Sequence, residues 1–133
     1  MPNLHTLSDN LLANVPDHNV TASGNGGSVD TLGYQRGMIV ITATTAAASS
    51  AAFVLQDSAD GVTFAPIAGV SIPNVGASVT ANVQTISVAC KNHRRFLRLA
   101  YTIVGTASVD AAYLLAAADM LPATQSNPEI YVP

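Results

Sequence analysis

Residues 94–118, RRFLRLAYTIVGTASVDAAYLLAAA, form the stretch that decides the fold class. Apolar residues recur at every second position on both sides of Gly105: Leu97, Leu99, Tyr101 and Ile103 before it, and Val109, Ala111, Tyr113 and Leu115 after it. A two-residue period that is rich in β-branched and aromatic side chains is typical of strands with one buried face. The pattern therefore predicts two long strands that meet at Val104-Gly105-Thr106.

The short break at Gly105 predicts that these two strands pair as a β-hairpin. For the second run a helix is the alternative, because its alanines and leucines have good helix propensity. We favour a strand, since the run begins directly behind a hairpin-like turn.

The rest of the chain continues the same style of sequence. Clear alternation appears in residues 37–44, 52–57 and 77–90, shorter apolar runs occupy residues 20–22, 29–32 and 62–67, and turn residues separate them. Both faces of 37–44, GMIVITAT, are largely apolar, as expected of a strand that is covered on both sides or lies at an interface. Short strands with turn signals at this spacing predict an all-β antiparallel sandwich or jelly roll of about eight strands.

Both ends of the chain look different from this middle region. Residues 1–19 contain leucines at helical spacing, namely Leu4, Leu7, Leu11 and Leu12. This spacing predicts an arm with a short amphipathic helical turn. Residues 119–133 are rich in proline and predict an extended tail with an apolar patch at Ile130, Tyr131 and Val132. We therefore divide the chain into an arm at 1–19, a β-sandwich domain at 20–118 and a tail at 119–133.

Composition limits the classes of function. Of 133 residues only 10% are charged, whereas 49% are hydrophobic and the net charge is −3. A soluble domain normally has about a quarter of its residues charged, so this neutral surface favours packing against other proteins. The negative net charge argues against a general nucleic-acid surface. The longest apolar run is bracketed by Asp110 and Asp119, so no membrane span is expected.

Catalytic and metal-binding patterns find little support in the sequence. The single cysteine, Cys90, cannot form an intrachain disulfide, and its strand context predicts a half-buried residue. Asp57 and Asp60 beside Gly61 superficially suggest a calcium loop, but the remaining ligands of that loop are missing, so we interpret the segment as a turn. No nucleophile-elbow or zinc-protease motif occurs. We expect no enzyme activity and no cofactor.

One charge cluster stands out. Four of the five basic residues fall within eight positions: Lys91, Arg94, Arg95 and Arg98. Guanidinium groups pair well with carboxylates of a partner protein, so this cluster is a candidate contact patch. The alternative is a solvated corner of the sheet, with Arg98 lying along it.

Several segments together resemble the small capsid cement (decoration) proteins of tailed bacteriophages. The matching segments are residues 7–10, 20–22, 28–33, 54–64 (VLQDSADGVTF) and 95–102 (RFLRLAYT). The resemblance covers most of the chain as a style of sequence rather than as a diagnostic motif, and the C-terminal tail has no match. Similar Gln-x-Ser-x-Asp-Gly patterns occur in other virion β-proteins.

The resemblance implies a jelly-roll structural protein that assembles as a homotrimer. Such a protein is made in the host cytoplasm and binds the capsid exterior where major capsid protein subunits meet, with no nucleic acid or membrane partner. Candidate contacts are the basic cluster, the arm leucines Leu4, Leu7 and Leu11, and the tail residues Ile130, Tyr131 and Val132. The alternative is a carbohydrate-binding β-sandwich of a fibre or tail component, which would need an exposed aromatic residue such as Tyr34.

Overall fold

A computed structural model describes residues 11–117 and 130–132 of the chain. The strands within these residues are β1 Leu11–Val20, β2 Gly24–Asn25, β3 Val29–Asp30, β4 Arg36–Thr45, β5 Ser50–Ser58, β6 Ala65–Pro66, β7 Asn82–Val88, β8 Phe96–Val104, β9 Ala107–Ala116 and β10 Ile130–Val132. A 3₁₀ turn, η1, spans Cys90–Asn92 between β7 and β8. The second half of the 94–118 stretch is a strand, so the helical alternative is wrong and the all-β prediction is confirmed.

The strands form two sheets that pack face to face. Sheet A has the order β1-β9-β4-β7-β10, and sheet B has the order β2-β8-β5-β6, with β3 also pairing with β8. The antiparallel pairs are nested along the chain: β1 with β9, β2 and β3 with β8, β4 with β7, and β5 with β6. The pairs β4·β9 and β5·β8 close this folded ribbon. Nested pairs distributed over two sheets make the predicted jelly roll.

The predicted hairpin at Gly105 is wrong, although both of its strands exist. β8 lies in sheet B and β9 in sheet A, so Val104 pairs with Ser50 and Ala107 pairs with Thr45. The chain crosses from one sheet to the other instead of folding back beside itself. The two-residue period determines which side chains face the core, but it does not determine which strands pair. A crossing between the sheets buries the same side chains as a hairpin, because the apolar faces of β8 and β9 then meet across the sandwich.

A second crossing lies beside the first. Between β4 and β5 the chain also changes sheets, and the Ala46 N–H donates to the Thr106 carbonyl at 3.0 Å. Ser49 Oγ accepts from the Thr106 N–H at 2.9 Å. Gly105 has a φ of 76°, and a Cβ there would overlap Ser49 Oγ. We call this the crossing end of the sandwich.

The core lies between the two sheets and is built from the residues that the alternation assigned to one face. Its largest fully buried side chains include Ile39 and Ile41 of β4, Leu55 of β5, Leu97 and Leu99 of β8, and Tyr113 and Leu115 of β9. Phe53 meets Tyr101 edge to face, with ring centroids 6.0 Å apart. The removal of these apolar faces from water is the main force that holds the sheets together.

The predicted arm is wrong in its described part. Residues 11–19 belong to strand β1 at the edge of sheet A instead of forming a helical turn, so the sandwich begins at Leu11 instead of Val20. Proline is tolerated in an edge strand, and Pro16 lies where the register with β9 shifts, between Asn14 and Asp17. Pairing with β9 overrides the helical spacing of the leucines. Residues 1–10 lie outside the described residues.

A buried carboxylate ties this edge strand to the opposite sheet. Asp17 is 4% exposed and accepts from the Tyr101 hydroxyl at 2.5 Å and from the Gly27 N–H at 2.7 Å. A Cβ on Gly26 would overlap this carboxylate. Burial, and then the bond to Asp17, raise the pKa of Tyr101 above its ordinary value, so the hydroxyl stays protonated and acts as the donor.

The described end of the predicted tail also joins the fold. β10 pairs in parallel with β7, and the Ala89 N–H donates to the Val132 carbonyl at 2.9 Å. Val132 is 1% exposed and packs in the core. Its prediction as part of a sticky outer patch is therefore wrong, because an apolar side chain at an open sheet edge is buried against its own sandwich. Residues 118–129 lie outside the described residues.

Candidate interaction surface

The basic cluster lies at the end of the sandwich opposite the crossings. Three connections meet there, namely residues 31–35, 59–64 and 89–95, and we call them together the basic end. The Thr31 N–H and hydroxyl both donate to the Arg95 carbonyl, at 2.8 and 2.5 Å. The Lys91 N–H donates to the Gln35 carbonyl at 3.4 Å. These bonds join the first and third connections into one surface.

Arg94 fastens the third connection to β5. Its Nε donates to Asp57 Oδ1 at 2.7 Å, its Nη2 donates to the Asp57 carbonyl at 3.0 Å, and its backbone N–H donates to Asp57 Oδ2 at 3.2 Å. The Asp57 side chain is 11% exposed, whereas that of Arg94 is 45% exposed. His93 Nδ1 lies 3.9 Å from the same carboxylate. Arg94 therefore neutralises a nearly buried acid of its own chain, a role that sequence reasoning did not assign.

Arg95 makes a two-pronged ion pair with Asp30 of β3. Its Nε and Nη2 donate to the two carboxylate oxygens at 2.8 and 2.7 Å. These bonds, chiefly, hold the pKa of Asp30 at about 2, below its ordinary 3.8, and raise the pKa of Arg95. The guanidinium also lies 5.0 Å from the centre of the Phe96 ring. Both partners are almost half exposed, so the pair stays open to solvent and to a partner.

Arg98 lies on the outer face of sheet B. Its Nε donates to Gln56 Oε1 at 2.8 Å, and its guanidinium carbon stands 3.9 Å from the centre of the Phe64 ring. A guanidinium over an aromatic face gains from the charge distribution of the ring, and it also covers that face. This agrees with the alternative that the sequence left open, in which Arg98 lies along the sheet.

A tight turn holds the connection 59–64. Ser58 Oγ donates to Asp60 Oδ1 at 2.8 Å and accepts from the Gly61 N–H at 3.0 Å. Asp60 Oδ1 also accepts from the N–H groups of Val62 and Thr63, both at 2.9 Å. These backbone bonds, that of Thr63 first, lower the pKa of Asp60 to about 2. These hydrogen bonds form the turn that the sequence predicts at Asp60-Gly61. Among the residues that the structure describes, no group of three potential metal ligands occurs.

Two apolar side chains project from the basic end. Val62 is 80% exposed and Leu32 is 66% exposed, and the basic residues Lys91, Arg94 and Arg95 are exposed on the neighbouring connection. The Leu32 N–H donates to Asp30 Oδ1 at 3.0 Å, so the carboxylate that pairs with Arg95 also holds the backbone of Leu32 in place. Apolar tips beside cations on hydrogen-bonded connections can bind a partner surface that offers an apolar pocket rimmed by carboxylates.

Sequence reasoning found the cations but missed these two tips. It assigned Leu32 and Val62 to strands because both residues are apolar. The available signal was the turn chemistry around them, Asp30-Thr31-Leu32-Gly33 and Asp60-Gly61-Val62, which places an apolar side chain in a turn, where it stays exposed.

The other predicted contacts are distributed differently. Leu4 and Leu7 lie outside the described residues, and Leu11 is the first residue of β1. Ile130 and Tyr131 pair through their backbones with Ile86 and Ser87. Leu11 pairs with Ala116, whose carbonyl accepts from the Gln35 N–H, so the start of β1 lies at the same end of sheet A as the connection 31–35.

The aromatic side chains give no open platform within the described residues. Tyr101, Tyr113 and Phe53 are buried, and Tyr34 packs partly against the core. Phe64 and Phe96 each lie beside a guanidinium. No contact in this part of the chain favours the carbohydrate-binding alternative.

Two remaining predictions concern a single residue and the membrane. Cys90 is 4% exposed, more buried than the half-buried position predicted, and burial raises the pKa of its thiol to about 11. The part of the chain that the structure describes contains no helix that is long and apolar enough to cross a bilayer.

Comparison with known proteins adds one structural likeness. No protein-family model matches the chain, and no curated protein matches it. One similar solved chain comes from a structure of infectious bursal disease virus, Gx strain, with a TM-score of 0.44 and 13% identity. The match covers 82% of this chain but only 32% of the viral chain, so this protein spans about a third of the length of that neighbour.

Proposed function

We propose that this chain is a structural virion protein that binds the outer surface of an assembled capsid. It acts as a homotrimer that bridges neighbouring major capsid protein subunits, and it has no catalytic activity, cofactor, nucleic-acid partner or membrane partner. Its place is the capsid exterior, after synthesis in the host cytoplasm.

The observation that supports this proposal is the basic end. Leu32 and Val62 project as apolar tips from connections that are held by hydrogen bonds to Asp30 and Asp60, and Lys91, Arg94 and Arg95 are exposed on the third connection. A surface fixed by internal hydrogen bonds loses little conformational entropy when it binds, so its exposed apolar area contributes to affinity. The phage-cement resemblance of the sequence supplies the choice of partner.

The mechanism follows from mass action. A protein that binds only the assembled shell stabilises that shell by its own binding free energy. A trimer attached at three points gains further affinity, because the second and third contacts form at high effective concentration. No chemical step is needed.

The test measures occupancy of capsid shells assembled from the major capsid protein of the encoding virus. Val62→Asp places a charge on an 80% exposed tip of the basic end, and Val104→Asp does the same at a 56% exposed valine at the crossing end. We expect Val62→Asp to raise the dissociation constant at least tenfold and Val104→Asp to leave it unchanged. Equal binding by both variants would reject the basic end as the contact, and absence of wild-type binding would reject the proposed function.

Replacing the arginines is a less direct test. Arg94→Ala removes three hydrogen bonds to Asp57, so a loss of binding would mix a contact effect with a folding effect. Lys91→Glu reverses a charge on an exposed side chain of the connection 89–95 and is the better variant for the electrostatic part. We expect it to weaken shell binding most at low ionic strength, since surface charges are screened by salt.

A further inference from the structure

Strands β9 and β10 run in the same direction within sheet A. β4 is antiparallel to both β9 and β7, and β10 is parallel to β7. β9 ends at Ala116, and β10 begins at Ile130 on the far side of β4 and β7. Two parallel strands of one sheet cannot be joined by a tight hairpin and need a crossover connection of a dozen or more residues. The chain between β9 and β10 is therefore a crossover connection.

The inner face of sheet A is closed to this connection. Ile39 of β4, Ile86 of β7 and Tyr113 of β9 belong to the core between the sheets, and each is at most 1% exposed. Two paths are left for the connection. One runs over the outer face of sheet A, and the other runs around the sheet edge beyond β10.

The length of the connection favours the path over the outer face. Ile130 pairs with Ile86, and both are level with Tyr113, which precedes Ala117 by four residues. Four residues at about 3.3 Å and three strand spacings at about 4.8 Å place the two ends of the connection about 20 Å apart. The steps from residue 117 to residue 130 reach about 43 Å at full extension. The path over the face uses less than half of this length, whereas the path around the edge takes about 32 Å before the chain also reverses to enter β10.

The burial of outward side chains marks the same path. A straight line from the end of β9 to the start of β10 crosses β4 beside Arg36 and β7 beside Ser87. Ser87 pairs with Met38, and Arg36 lies two residues before Met38, so both lie on the outer face. Ser87 is nevertheless 1% exposed and Arg36 7% exposed, whereas Val83, on the same face of β7 but away from the line, is 64% exposed. The described strands all belong to the two sheets, so none of them covers Arg36 and Ser87 from outside.

We infer that residues 118–129 cross the outer face of sheet A over Arg36 and Ser87. The face nearer the basic end is thus a docking surface for the chain's own connection, which fastens β10 to the sheet. The part of the face around Val83 stays open. The inference rests on strand register and burial, and it does not depend on capsid binding.

The chemistry of the connection fits this surface. A largely buried guanidinium such as that of Arg36 is stabilised by negative charge nearby, and the connection carries Asp119 and Glu129. Met38 pairs with Leu114 on the outer face, and both are only half-buried. The first half of the connection contains two apolar residues, at positions 120 and 121, which suit this part of the face.

The first experiment measures the distance between the connection and the face in the full chain. Ser87→Cys combined with Gln125→Cys places one thiol on the line and one about two-thirds of the way along the connection. Val83→Cys combined with Gln125→Cys is the control, because Val83 faces the same way four residues further along β7. The natural Cys90 is buried and does not compete. Equilibration in glutathione buffers followed by mass spectrometry gives the effective concentration of each thiol pair.

We expect the effective concentration within one chain to be at least tenfold higher for the Ser87 pair than for the Val83 pair. Equal values, or a higher value for the Val83 pair, overturn the inference. Disulfides that form only between copies also overturn it, because the covering segment would then come from another chain.

A second pair keeps the test available if Ser87→Cys fails to fold. Met38→Cys with Ala123→Cys probes the middle of the face, and Thr42→Cys with Ala123→Cys is its control on the same side of β4. A path over the face brings residue 123 closer to Met38 than to Thr42, so the first pair should again have an effective concentration at least tenfold higher. A path around the edge keeps residue 123 away from both, and equal values overturn the inference.

Discussion

Removal of the Tyr101 hydroxyl is the sharpest test of how the two sheets are joined. Tyr101→Phe deletes one oxygen from a side chain that is 4% exposed and leaves the aromatic ring in place. The Asp17 carboxylate, equally buried, then keeps only the Gly27 N–H of the two described donors that reach it. We expect the variant to fold but to be clearly less stable.

The magnitude follows from this geometry. A hydrogen bond to a charged group contributes about 1.5–3 kcal/mol, and a buried acceptor left without its partner costs a similar amount. Because one donor to Asp17 remains, we expect a loss of about 2 kcal/mol in the free energy of unfolding. With an unfolding entropy of about 2.1 cal/mol/K per residue over 133 residues, the melting temperature should fall by about 7 °C.

Tyr113→Phe is the matched control. Tyr113 is 1% exposed on the facing strand β9, and its hydroxyl has no hydrogen-bond partner among the described residues. Burial, and then the charge of Asp17, raise its pKa above the ordinary value. Deleting an unsatisfied buried hydroxyl should change stability by less than about 0.5 kcal/mol or increase it.

The assay is urea unfolding of both variants at pH 7, followed by fluorescence and circular dichroism. Equal stabilities of the two variants, or a larger loss for Tyr113→Phe, would refute the assignment of Asp17 and Tyr101 as the bridge between the sheets. The slopes of the unfolding transitions must match that of the wild type, since a changed slope would report a change in the unfolded state instead.

The remaining predictions concern other parts of the fold. Arg94→Ala should lower the free energy of unfolding by about 2 kcal/mol, which is less than for a fully buried ion pair because the guanidinium is half exposed. Unchanged urea unfolding would show that the Asp57 carboxylate does not depend on Arg94 for stability. Gly105→Ala should cost about 1–2 kcal/mol because its positive φ disfavours a Cβ, and calorimetry showing a gain would contradict the crossing geometry. The pKa of Asp30 is about 2 instead of 3.8, so the contribution of its ion pair to the free energy of unfolding is present above about pH 4 and is lost as the pH falls towards 2. Asp30→Asn should therefore make the free energy of unfolding less dependent on pH between about pH 4 and about pH 2. A stronger dependence on pH would contradict this. The Cys90 thiol should react with a maleimide only after urea is added, and rapid modification of the native protein would show that the site is open.

The basic end consists of connections that are held by side-chain hydrogen bonds, so its shape depends on individual residues such as Asp30 and Asp60.

The residues at the basic end were only partly predictable. The cluster of cations is visible in the sequence. The sequence does not show that Arg94 pairs with Asp57 and Arg95 with Asp30, because these acids lie far from the arginines in the chain. An ion pair between distant residues depends on strand pairing, which the sequence pattern does not specify. The exposure of Leu32 and Val62 likewise depends on where the connections emerge from the sandwich.

The sequence by itself determined that the two runs on either side of Gly105 form strands and which side of each strand is buried. The alternation in β8 and β9 correctly placed Leu97, Leu99 and Tyr113 in the core, since the side-chain period of a strand is local. Only the tertiary structure decided which strands are neighbours: β8 and β9 separate into different sheets, and residues 11–19 become an edge strand. The physical reason is that strand pairing is governed by the burial of whole apolar faces against each other, and this burial depends on the entire sandwich rather than on any one stretch of the chain.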